Sequence, residues 1–355
     1  MRHCNNALLA IVLAGASVSL SGQQTTKPAA PPQAPPLTVD RDPVRSPDGN
    51  APVAPREGVQ KEGGGFILHT DVEEVVLNAT VLDDHSHLVQ TLTKDDFQVF
   101  EDGVKQSIIS FQHSDLPVSI ALVVDNSGSM SRKRPAVNKS ALDLIEASNP
   151  QDEAFVVNFS DEAFIDQEFT SSVNKLREGL SHIESRGGTA LYDAVVASAD
   201  KLAIDAKRPK QVLVLITDGE DNASTLNLEQ TIRRVQQLSG PVIYSIGLLF
   251  GDEMSHSEVR HARRALEMLS TETGGIAFFP KSLEQVDQIA AEVARDIRSQ
   301  YTIVYHSTKP TSEPGFRRVQ VSAEVKGSGK LNVRTRTGYF PVVRKPKKSN
   351  PAPQE

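Results

Sequence analysis

Five side chains with oxygen donors stand out by type and placement. Asp125, Ser127 and Ser129 form an Asp-x-Ser-x-Ser run, Thr189 follows Gly187-Gly188, and Asp218 lies in Thr217-Asp218-Gly219-Glu220-Asp221. Together they offer two carboxylates and three hydroxyls, and neither Cys nor His stands beside them. Hard oxygen donors of this kind suit Mg²⁺, with Mn²⁺ or Ca²⁺ as substitutes. Mg²⁺ takes octahedral oxygen coordination at about 2.0–2.1 Å and often keeps a position for water or an outside ligand. The plainer reading makes Asp125 and Asp218 strand-end caps, with Ser127 and Ser129 capping the helix that follows.

Catalytic chemistries fit the same residues less well. Ser127 lacks the Gly-x-Ser-x-Gly frame of a strand-to-helix nucleophile. A phosphoaspartyl role for Asp125 would call for a second acid two residues on, where Ser127 stands. No Gly-x-Gly-x-x-Gly run or P-loop occurs. His85 and His87 sit in an acidic turn and read as solvated, as do Glu220 and Asp221. Arg132, Lys133 and Arg134 follow the first cluster directly and oppose the dipole of a helix starting there. They read as a solvated basic face, or as a lure for an acidic partner. The expectation is a chain that is not an enzyme.

Hydrophobic periodicity supplies the elements that must position the five residues. Continuous apolar runs over 118–124, 154–159, 211–216, 242–246 and 276–279 read as buried strands. Helical spacing fills the gaps over 137–145, 173–183, 190–202, 226–238, 259–269 and, in one long apolar stripe, 283–299. Strands and helices in alternation imply an α/β fold with a doubly wound, mostly parallel sheet. Ligands of such sheets bind beyond the carboxyl ends of the strands, and all three polar clusters fall there.

The flanks obey a different grammar. Residues 66–115 and 301–345 show short alternating runs between turn residues, as β-strands do. We expect these two segments to pack together as one β-sandwich-like domain, with the α/β domain (116–300) inserted between them. Residues 1–22 carry Arg2, an apolar run too short for a comfortable membrane span, and small residues at its end, the order of a signal peptide. The one cysteine, Cys4, lies inside it, so a cleaved chain would hold no disulfide. Nine of the 21 prolines fall in 23–65, which reads as a disordered Pro/Ala-rich tether, and 346–355 reads as a disordered tail. With 45 acidic against 38 basic residues, no Trp and 5% aromatics, the 355-residue chain lacks the basic face and stacking platform of a nucleic-acid binder.

At Asp125, Ser127, Ser129, Thr189 and Asp218 the sequence resembles the von Willebrand factor type A (VWFA) family, over about residues 116–300. The resemblance implies a Rossmann-like vWA domain in which these five residues form a metal-ion-dependent adhesion site. It also implies a metal that bridges to an Asp or Glu carboxylate of a protein partner. The alternative is a structural or scaffold component of a cell-envelope complex whose metal site is structural or unused. The whole layout is similar to exported bacterial VWFA-related proteins of the acidobacterial type, which implies a periplasmic, envelope or extracellular location. The basic triplet at 132–134 replaces the acidic pair that supports a second calcium site in some relatives, so no second site is expected.

Overall fold

The computed structural model describes residues 37–39, 42–44, 73–181, 185–238, 240–250, 254–325 and 329–341. The expected signal peptide, most of the expected tether and the expected tail lie outside the described residues. At two points the tether segment departs from an extended chain. Strands β1 (Leu37–Val39) and β2 (Asp42–Val44) pair antiparallel, and β1 also meets the central sheet at Thr38 and Phe164. The open edge of a sheet offers unpaired backbone groups to any extended neighbour, which accounts for this pairing within a proline-rich stretch.

Four strands precede the α/β region: β3 (Glu74–Leu82), β4 (Phe97–Glu101), β5 (Val104–Gln106) and β6 (Ile108–Gln112). The α/β region then runs β7 (Val118–Asp125), α1 (Arg134–Glu146), β8 (Glu153–Phe159), β9 (Ala163–Thr170), α2 (Val173–Ser181), α3 (Leu191–Asp205), β10 (Lys210–Thr217), α4 (Leu228–Gln237), β11 (Val242–Gly247), α5 (His256–Thr273), β12 (Ala277–Phe278) and α6 (Val286–Arg298). After it come β13 (Tyr301–His306), β14 (Arg317–Ala323), β15 (Asn332–Arg334) and β16 (Gly338–Tyr339).

The central sheet has the order β12-β11-β10-β7-β8-β9-β1-β2. All pairings from β12 to β8 are parallel, while β9 returns antiparallel to β8. Every residue of β7 is buried, because helices cover both faces of the sheet. Its Ile120, Leu122 and Val124 enter one core with Val137, Leu144, Val293 and Ile297 of α1 and α6. Its Ala121 and Val123 enter the other with Leu191, Leu202, Val235 and Leu269 of α3, α4 and α5. This is a doubly wound, mostly parallel α/β sheet of the Rossmann-like kind. β9 has no counterpart among the strands expected from periodicity, since Asp166, Gln167 and Glu168 interrupt its apolar alternation.

The flanks meet in two four-stranded sheets, β15-β3-β13-β6 and β16-β14-β4-β5. Leu77, Val81, Val99, Tyr301, Ile303 and Val319 from both sheets build one shared core. β6 leads into the α/β region and β13 receives the chain from it. These two strands pair antiparallel, with Thr302 opposite Gln112 and Ile303 opposite Phe111. Asp296 on α6 ties the regions together: it accepts from Tyr244 on β11 at 2.5 Å, Arg334 on β15 at 2.6 Å and Thr80 on β3 at 3.4 Å. Among the described residues no helix is long and apolar enough to cross a membrane.

Candidate metal centre

β7 and β10 are parallel neighbours, with Val124 opposite Ile216, so the residues at their carboxyl ends arrive side by side. Strand order reverses at this point of the sheet, where ligands of α/β folds bind. Asp125 ends β7 fully buried, and Thr217 ends β10 with Asp218 directly after it. The Thr217 hydroxyl donates to Asp125 Oδ2 at 2.5 Å, and the Ser127 amide donates to Asp125 Oδ1 at 2.7 Å. Asp125 thus caps its own loop.

The serines are not helix caps. Ser127 precedes a short 3₁₀ turn, Gly128–Arg132, yet its side chain makes no capping hydrogen bond. Its Oγ instead lies 3.2 Å from Ser129 Oγ, and Ser129 Oγ donates to Asp218 Oδ1 at 2.8 Å. Two oxygens at right angles on a Mg²⁺ ion, each about 2.1 Å from it, lie about 3 Å apart. Both spacings match such an edge. All three are hard oxygen donors, the chemistry a small divalent cation takes, and at these spacings they are also hydrogen-bonded to one another. Among the described residues no group of three or more His, Cys, Asp or Glu is placed to hold a metal, so a site here depends on its hydroxyls.

Thr189 comes from the loop before α3, and its placement depends on residues that periodicity and motif spacing do not reveal. Asp161 Oδ1 accepts from the Gly188 amide at 2.7 Å, and Asn222 Oδ1 accepts from the Thr189 amide at 2.8 Å. The Thr189 carbonyl accepts in return from the Asn222 amide at 3.1 Å. Gly187 sits at φ +79°, and a Cβ there would lie 2.2 Å from Asp161 Oδ2. A Cβ at Gly219 would lie 3.5 Å from Thr189 Oγ1, so this hydroxyl stands directly against the Asp218 loop. Ser129, Thr189 and Asp218 line one cleft of about 230 Å³, walled by Lys133 and Phe250.

Burial pushes the Asp125 carboxyl up to about 6, although hydrogen bonds from Thr217 and Ser127 pull the other way; the nearby Asp218 charge adds to the rise. Of the basic triplet, only Arg132 lies on a solvated face, while Lys133 and Arg134 turn inward. Arg134 is 3% exposed and donates to the Asp125 carbonyl at 3.2 Å and to Asn158 Oδ1 at 2.8 Å. Burial lowers the Arg134 guanidinium to about 10, against the raising effect of Asp125. Lys133 Nζ donates to Asp218 Oδ2 at 2.6 Å with its side chain 12% exposed. The Lys133 amide closes the 3₁₀ turn on the Met130 carbonyl just before α1 begins.

Glu220 and Asp221 also differ from a free loop. Asp221 Oδ2 accepts from the Tyr192 amide at 3.1 Å and so braces the start of α3, while Glu220 lies 3.3 Å from His261 Nδ1. His85 and His87 remain exposed, on a turn whose amides both donate to Asp83.

Residues 120–220 match the family model of the von Willebrand factor type A domain. Inter-alpha-trypsin inhibitor heavy chain H4 of Bos taurus is 22% identical over 290 residues, 76% of this chain and 29% of that protein. Its Homo sapiens counterpart is 26% identical over 239 residues, 62% of this chain and 25% of that protein. The chain thus matches well under a third of the length of these relatives. Among solved structures, a von Willebrand factor type A protein from Catenulispora acidiphila is 12% identical with a TM-score of 0.42, covering 76% of this chain and 73% of that one. Proximal thread matrix protein 1 of the mussel byssus, with a zinc-occupied MIDAS motif, is 19% identical with a TM-score of 0.43, covering 56% and 50%.

Proposed function

We propose that this chain is an exported, non-enzymatic binding module that captures a protein partner through a divalent cation, with Mg²⁺ as the resident ion. Asp125, Ser127, Ser129, Thr189 and Asp218 would hold it. The observation that carries this reading is the row of oxygens from Ser127 to Ser129 to Asp218 at 3.2 and 2.8 Å, of which Ser129 and Asp218 line a cleft at the strand ends. When bound, the cation supplies an electrophilic position to which a partner's Asp or Glu carboxylate can bind.

The protein's own residues set the rest. Thr217 and the Ser127 amide orient Asp125, so its charge is held at the base of the site. Asn222 and Asp161 fix the backbone that presents Thr189. Two carboxylates balance a divalent charge, and neutral hydroxyls leave the cation able to attract an anionic partner.

A second reading, a scaffold component of an envelope complex with a structural or unused metal site, draws on the Lys133–Asp218 pair, which satisfies Asp218 without a metal. A Mg²⁺ and Mn²⁺ titration of wild type against Asp218→Ala separates the two. The adhesion reading expects binding by wild type that is lost in the variant, together with EDTA-sensitive partner capture from an envelope extract. Equal metal affinity and equal capture would overturn it.

A further inference from the structure

Lys133 occupies a position that the helix behind it does not favour. It stands at the junction of the 3₁₀ turn and α1, where a positive charge works against the helix dipole. Its four-carbon stem crosses the cleft wall, and its ammonium lies 2.6 Å from Asp218 Oδ2 and 5.7 Å from the centre of the Phe250 ring. The partner carboxylate is shared: Oδ1 takes the Ser129 hydroxyl while Oδ2 takes the ammonium. The Asp218 side chain is wholly shielded from solvent, so its charge would otherwise stand uncompensated there.

We propose that Lys133 is a built-in counter-cation of the metal centre, which holds Asp218 while the centre is empty and must withdraw before a divalent ion can use that carboxylate. This rests on the metal reading of the same site. An ammonium in contact with Asp218 and a divalent ion on the same carboxylate would repel each other across a poorly screened gap. A lysine suits the task because its ammonium is a compact charge on a flexible four-carbon stem. The metal-free centre is thereby kept folded, and its affinity for metal is set lower than the oxygen donors alone would give.

The full chain tests this with Mn²⁺ as the probe, titrated calorimetrically into wild type, Lys133→Met, Lys133→Gln, Lys133→Arg and Asp218→Ala. Removing the charge should tighten Mn²⁺ binding by about tenfold or more, within the range usual for coupled sites. Lys133→Arg, which keeps the charge, should stay close to wild type. In EDTA, Lys133→Met should melt below wild type, and saturating Mn²⁺ should close that gap. Lys133→Gln keeps a polar head of similar reach and repeats the measurement should the Met variant not fold. Equal or weaker Mn²⁺ binding by both uncharged variants, with no binding by Asp218→Ala, overturns the counter-cation and leaves the metal reading standing. Absence of Mn²⁺ binding in wild type and all Lys133 variants overturns both.

Discussion

Thr217 Oγ1 donates to Asp125 Oδ2 across 2.5 Å, joining the ends of β10 and β7 at the residue that heads the first site loop. Thr217→Val keeps the shape and removes the donor, leaving a buried carboxylate oxygen without its partner. The expected loss is about 1–3 kcal/mol of stability in urea unfolding. Metal affinity should fall roughly ten- to a hundredfold, as it does when a supporting partner of a ligand is removed. Thr217→Ser should restore both, and a Thr217→Val protein with unchanged Mn²⁺ titration would remove Thr217 from the centre.

Lys210 offers a pH test away from the site. Its side chain is 2% exposed at the start of β10, donates to the Ile297 carbonyl at 3.2 Å, and has its ammonium pulled down to about 8 by burial, against the favourable charges of Asp115, Asp152 and Asp296. Below about pH 8 both folded and unfolded chains carry the proton, and the folded state bears the full penalty of a buried charge. Between about 8 and the ordinary lysine value near 10.4 the unfolded chain binds the proton more, so this group makes stability rise with pH. The total amounts to roughly 3 kcal/mol. Unfolding of wild type minus Lys210→Met, followed from pH 7 to 11, should show that rise; a flat difference would contradict it.

Glu101 is the buried acceptor at the centre of the paired sheets. It accepts hydrogen bonds from the hydroxyls of Ser307 at 2.6 Å, Tyr305 at 2.8 Å and Tyr339 at 2.9 Å, and Arg317 Nη1 stands 3.7 Å away. Truncation in Glu101→Ala leaves three hydroxyls and a buried cation to find new partners. A loss of about 3–5 kcal/mol is expected in chemical unfolding. Glu101→Gln, with one acceptor oxygen retained, should lose less.

Asp296 and Arg334 connect α6 to β15 at 2.6 Å, and the same carboxylate holds Tyr244. A double-mutant cycle of Asp296→Asn and Arg334→Met should give a coupling of about 1–3 kcal/mol. Additive single effects would mean that the contact carries no energy of its own.

Much of this molecule was legible in its sequence, for identifiable reasons. The runs at 118–124 and 211–216 are apolar at every position but Ser119 and Gln211 because two helix layers cover them, and burial on both faces leaves an unmistakable signature. The places of Asp125 and Asp218 follow from those strands, since their clusters begin where an apolar run stops, whereas Thr189 stands in the loop that opens α3. β9 escaped because only Ala163 and Ile165 are buried along it. The inward turn of Lys133 and Arg134 escaped because charge at a helix start reads as surface, and only the three-dimensional position of Asp218 and Asn158 gives those charges somewhere to go. The roles of Asp161 and Asn222 depend on side chains accepting from distant amides, which no spacing along the chain reveals.

The pairing of β6 with β13 has a mechanical meaning. The α/β region hangs from two adjacent strands that enter and leave at the same end of one ladder. A pull on the loops at the carboxyl ends of β7 and β10 therefore reaches the paired sheets through both β6 and β13. Neither is peeled from the other, and the load passes to the six-residue register between β13 and β3, where backbone bonds lie across the direction of pull and must fail together. Tension would be resisted as shear, the loading in which a sheet is strongest.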